Sequence, residues 1–104
     1  MSELDNIEGL LYGKPLQCLV TSALMSLQLE NSENDILIKT VSAKILDKRP
    51  ELNIFVDTVR SKTLFRQRLT NCIKQMGKTN LVSLSLEKTK NIDYQYIIIK
   101  PNLL

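Results

Sequence analysis

The hydrophobic period of this chain changes once. Between Leu16 and Met76 apolar residues recur at three- and four-residue steps, the spacing of an amphipathic helix. Past Gly77 they alternate with polar residues, the spacing of a half-buried strand. A chain written this way predicts helices first and a β-hairpin last. Its 104 residues leave room for one small domain. At that size roughly two-thirds of the unfolded surface can be buried, and an apolar share of 43% is globular rather than disordered. The expected class is α+β, mainly α.

Residues 1–13 carry Leu4, Ile7, Leu10 and Leu11 at helical steps and read as a short helix or arm ending near Gly13. Lys14 and Pro15 then punctuate the chain, Pro15 suiting the first turn of a helix. Residues 14–104 are expected to form the main domain. Its first helix is predicted by the stripe Leu16, Leu19, Val20, Ala23, Leu24 and Leu27, ending near Glu30 before a polar loop. Ile36, Leu37 and Ile38 suffice for a short strand. Thr40 is a candidate cap for a second helix holding Val41, Ile45 and Leu46, which stops before Pro50 because the residue preceding proline avoids the α region.

After Pro50, Leu52, Phe55, Val56 and Val59 keep helical spacing, while Leu52, Ile54 and Val56 alternate as in a strand. Pro50-Glu51 reads as a first turn and favours a short helix. Asp57 or Ser61 starts the third long helix, whose apolar face is Phe65, Leu69, Cys72, Ile73 and Met76, with Gly77 as its C-terminal cap. Segments 81–86 and 94–99 are expected to be the arms of a hairpin, with a basic loop between them. A lone two-stranded hairpin is unstable and needs an apolar surface, which the third helix supplies.

The chain has no histidine, which excludes Ser-His-Asp and Cys-His nucleophile arrangements and histidine-ligated zinc. Two cysteines cannot close a tetrahedral structural site, and Gly9, Gly13 and Gly77 lie too far apart for a phosphate loop. No enzyme activity, catalytic residue, cofactor or metal is expected. Cys18 and Cys72 fall on or beside apolar faces and are expected to be buried, inert thiols. The first residues are acidic where a secretory signal is basic, and no run approaches the roughly 20 apolar residues of a membrane span. With so few cysteines, the expected setting is a reducing one inside the cell: the nucleus in a eukaryote, otherwise the cytoplasm, the nucleoid or a host cell.

Charge is unevenly divided. Residues 1–57 hold nine acids and five bases, a net −4, whereas residues 58–104 hold nine bases and two acids, a net +7. No carboxylate occurs between Thr58 and Leu86. A solvated helix gains a few tenths of a kcal/mol from each i, i+4 pair of opposite sign, about 0.2–0.5 kcal/mol, and this one forgoes them, as expected of a face that meets a polyanion.

The segment LFRQRLTNCIKQMGKTNLVSLSLEKTKNIDYQYIIIKP, with the helices before it, resembles the winged helix–turn–helix superfamily over residues 14–101. The resemblance implies a three-helix core, a C-terminal β-hairpin wing, and a short strand at 36–38 joining the wing's sheet. The stretch from Arg49 to Lys62 is too long for a tight helix–turn–helix turn and is similar to the extra turn of forkhead and linker-histone variants.

On a wheel of 100° per residue, Arg60, Thr63, Gln67, Thr70, Asn71, Lys74 and Lys78 fall opposite the core of the third helix, flanked by Arg66 and Arg68, and Lys62 is a further candidate for phosphate. Gln67 and Asn71, one turn apart, each suit a bidentate contact to adenine. The cations suit phosphate, or guanine for an arginine. Lys88 and Lys90 at the hairpin tip are placed to reach a neighbouring backbone. The expected function is non-enzymatic binding of double-stranded DNA by a transcriptional or chromatin regulator, with the third helix in the major groove. The alternatives are a protein-interaction or assembly module, its basic face on an acidic partner or its apolar arm on a second copy, and a basic protein binding nucleic acid through charge alone. No membrane partner is expected.

Overall fold

The computed structural model describes residues 3–31, 35–78 and 96–98. In chain order these form α1 (Glu3–Glu8), a 3-10 turn (Gly9–Leu11), α2 (Gly13–Asn31), β1 (Asp35–Leu37), α3 (Ile38–Lys48), a 3-10 helix (Pro50–Phe55), α4 (Val59–Lys78) and β2 (Tyr96–Ile98). Helices predominate. Helices α2, α3 and α4 pack pairwise on one another, and the strands pair antiparallel, with Ile36 opposite Ile97. The first hairpin arm expected at 81–86 and its basic loop lie outside the described residues, so the wing as a whole does too.

The core follows the apolar stripes. Leu16, Val20, Ala23, Leu24 and Leu27 of α2 are buried against Val41 and Ile45 of α3 and Phe65, Leu69, Ile73 and Met76 of α4. Fully burying one such aliphatic or aromatic side chain stabilises the fold by about 1.5–3 kcal/mol, which is why burial outweighs helix propensity in fixing these elements. The N-terminal arm joins this core: Leu11 is buried and Ile7 and Leu10 pack against it. It turns into α2 at Gly13, whose φ of 57° lies in the left-handed region that glycine enters without a Cβ clash. On the surface, Lys44 of α3 pairs with Glu30 of α2, and Lys48 Nζ donates to the Oγ atoms of Ser22 and Ser26.

Four expectations shift. The strand is Asp35–Leu37 rather than 36–38, because Ile38 is fully buried as the first residue of α3. Helix α3 thereby starts earlier than expected: Leu37, with extended backbone, precedes it without a side-chain cap, and Thr40 lies inside. Helix α4 is capped by neither Asp57 nor Ser61 but by Thr58, whose Oγ1 accepts a hydrogen bond from the Ser61 N–H at 3.0 Å. Gly77 does not end α4, which continues to Lys78.

The open choice after Pro50 resolves to a 3-10 helix. Leu52 and Val56 are buried while Ile54 is 54% exposed, an arrangement a strand, with all three on one face, does not give. Asn53 Nδ2 donates to the Pro50 carbonyl at 2.9 Å and closes the turn.

Candidate nucleic-acid interface

Helix α4 turns a buried edge to α2 and α3 and leaves the rest to solvent. Its 20 residues span about 30 Å at 1.5 Å per residue. Thr58 and Ser61 fix where it starts, and Phe65, Leu69, Ile73 and Met76 fix its rotation. Once the rotation is set, the remaining side chains have no choice of direction. Arg60, Lys62, Thr63, Gln67, Asn71, Lys74 and Lys78 are exposed, and Arg66 and Arg68 are half-buried at its flanks. The helix carries six cations and no carboxylate, and neither the Lys44–Glu30 nor the Arg49–Glu51 ion pair involves it.

The two amides are as the spacing requires. Gln67 and Asn71, four residues apart, are both exposed on the outer face. Thr63 joins them, its hydroxyl donating to the Val59 carbonyl at 3.0 Å, which leaves its oxygen lone pairs outward as acceptors. Lys88 and Lys90 lie outside the described residues.

Two sequence expectations need correction. Thr70, placed on the outer face by the wheel, is buried at 6% exposure. It sits at the edge of the core stripe, and its Oγ1 donates to the Arg66 carbonyl at 2.9 Å, which satisfies the hydroxyl without water. Cys18 is exposed rather than buried. Only Cys72 has a partly buried thiol, and burial pushes its pKa up by desolvating the thiolate.

Two residues of this region were missed. Tyr12, just before α2, lies under Arg68, whose guanidinium carbon is 4.5 Å from the ring centroid. This puts the cation over the ring face, a cation–π contact. Leu64, 42% exposed, joins Val59, 83% exposed, as an apolar residue of α4 open to solvent. Its exposed position is readable from the wheel; the contact of Tyr12 with a residue so distant in sequence has no local signal.

Among the described residues no group of three or more His, Cys, Asp or Glu side chains is placed to hold a metal ion. No helix among them is long and apolar enough to cross a membrane. Compared with protein-family models, with curated proteins and with solved structures, the chain matches none.

Proposed function

We propose that this is a non-enzymatic, winged-helix-type DNA-binding protein, a regulator of transcription or chromatin, that lays α4 in the major groove. The observation carrying this reading is the outer face of α4, where Gln67 and Asn71, exposed and one turn apart, lie among four exposed cations, with Arg66 and Arg68 at the flanks and no carboxylate on the helix. The strand between α2 and α3, paired with a C-terminal strand, suits the same arrangement. A groove about 12 Å wide admits an α-helix.

The division of labour follows from the side chains. Arg60, Lys62, Arg66, Lys74 and Lys78 neutralise phosphates and set register, contributing affinity without sequence information. Gln67 and Asn71 each offer a donor and an acceptor on one amide, the pattern that matches N7 and N6 of adenine. Lys88 and Lys90, outside the described residues, are assigned to the DNA backbone on their charge alone.

Anisotropy titration with a labelled duplex at low salt, repeated as salt is raised, tests this. The expected result is micromolar or tighter binding with a log–log salt slope of several, each neutralised phosphate contributing about −0.9. Absence of binding at micromolar protein overturns the reading and leaves docking on an acidic protein surface as the use of this face.

A further inference from the structure

Beside the outer face of α4 lies a groove of about 410 Å³ between the start of α2 and the flank of α4. Its polar lining comprises Tyr12, Lys14 and Gln17 from one wall and Arg68, Asn71 and Gln75 from the other, with no carboxylate among them. Two cations and three amides thus face one concave space. Asn71 belongs both to this groove and to the outer face of α4, so the two surfaces are continuous.

We infer that this groove is a second phosphate site, which takes a backbone phosphodiester of the DNA strand bordering the major groove that α4 enters. The inference rests on the DNA-binding reading of α4 and adds a second contact to it from outside that helix. Charge complementarity selects the occupant: a phosphodiester carries one negative charge and bare acceptor oxygens, and over a floor of Leu11, Leu16 and Cys72 the charged groups of the groove are both cations, with amides beside them and no carboxylate. Arg68 supplies a planar fork of donors, and its cation–π contact with Tyr12 holds it in place before the phosphate arrives. Lys14, exposed on the opposite wall, supplies a mobile point charge. A strand running along the flank of α4 meets both, so the phosphate is clamped between two segments far apart in the chain.

The test uses the full-length chain and a duplex of arbitrary sequence, titrated across a salt series. Lys14→Gln and Arg68→Gln are expected together to reduce the salt slope by about 0.9, the one phosphate they share, each alone giving part of that reduction and weakening all sequences alike. Lys44→Gln, the same charge change on α3 outside the groove, is expected to leave the slope unchanged. Tyr12→Ala, which removes no charge, is expected to weaken binding about two- to fivefold by releasing Arg68, while Tyr12→Phe keeps the ring and keeps the affinity. Thermal unfolding of each variant reports the fold separately. If wild-type protein binds with a steep slope but Lys14→Gln behaves as Lys44→Gln does, the groove is not a phosphate site although the α4 reading stands. If Tyr12→Ala binds as wild type, the ring does not prepare Arg68 and the clamp fails. If the wild type does not bind the duplex at all, both readings fall together.

Discussion

Thr58 and Ser61 exchange hydrogen bonds across the first turn of α4. Thr58 Oγ1 accepts from the Ser61 N–H and Ser61 Oγ accepts from the Thr58 N–H, each at 3.0 Å. This is a reciprocal capping box with serine in the place usually held by Glu or Gln. It satisfies two backbone donors that the start of a helix leaves without partners. Thr58→Ala is expected to cost about 1 kcal/mol, lowering the Tm by roughly 4–8 °C in a domain of this size. Thermal denaturation followed by circular dichroism measures it, and an unchanged Tm would falsify the cap.

Gly9 and Gly13 should respond to alanine with opposite signs. Gly13 has φ 57°, where a Cβ meets its own backbone, so Gly13→Ala is expected to destabilise by about 1–2 kcal/mol. At Gly9, in the 3-10 turn, an added Cβ finds nothing within 4 Å. Gly9→Ala is therefore expected to stabilise by about 0.4–1 kcal/mol through the unfolded chain's lost entropy. Urea titration of the two variants compares them directly.

The 3-10 helix after Pro50 makes Leu52 and Ile54 unequal. Leu52 is fully buried, and Leu52→Ala is expected to cost about 2–5 kcal/mol. Ile54 is 54% exposed, and Ile54→Ser should change stability by no more than about 0.5 kcal/mol. Equal losses at both positions would indicate a strand with both residues on one face.

Thiol chemistry separates the two cysteines. Exposed Cys18 should react with an alkylating reagent well before Cys72, whose pKa is raised by desolvation. The raised value also has a sign in stability. The unfolded chain loses the Cys72 proton first as pH rises, so this contribution is whole below about pH 8.5 and is lost as pH climbs through the folded value. Cys72→Ala is expected to flatten the alkaline decline in Tm. Site-resolved mass spectrometry of labelling and a pH series of melts check the two halves.

The interface residues divide by the kind of loss they cause. Lys74→Ala is expected to weaken binding to every duplex and reduce the salt slope by about 1, whereas Asn71→Ala should relax the preference at one base pair by about 1–3 kcal/mol. Competition titration with a panel of single-substituted duplexes distinguishes them. Equal weakening on all members by both variants counts against base reading by Asn71.

The elements that rest on periodicity were legible, and those set by contacts between distant segments were not. The α2 stripe from Leu16 to Leu27 and the α4 stripe from Phe65 to Met76 became the core because burial, the largest favourable energy, writes itself along a helix every third or fourth residue. Pro50 marked a boundary for a steric reason that needs no tertiary information. Boundaries depending on one cap or one burial choice moved by a few residues: three consecutive apolar residues, Ile36 to Ile38, do not say which of them begins the helix. Cys18 stands about 160° from Val20 at 100° per residue and so faces away from the core, a position that its apolar neighbours in sequence obscured. On α4 the outward amides and lysines were readable because the core stripe fixes the remaining directions. The contact of Tyr12 with Arg68 was not, since nothing in either segment marks the other as its partner.

The pairing of Ile36 with Ile97 also bears on the order in which the molecule assembles. These residues are roughly 60 positions apart, so bringing them together closes a loop that contains α3 and α4, at an entropic cost that local helix contacts do not bear. The helices recover their own cost from neighbours close in sequence and form early, while the strand pair waits until they have docked. In native-state hydrogen exchange the amides of 35–37 should then open at a lower free energy than those around Leu24 and Leu69, so the strand junction lets go before the helical core does.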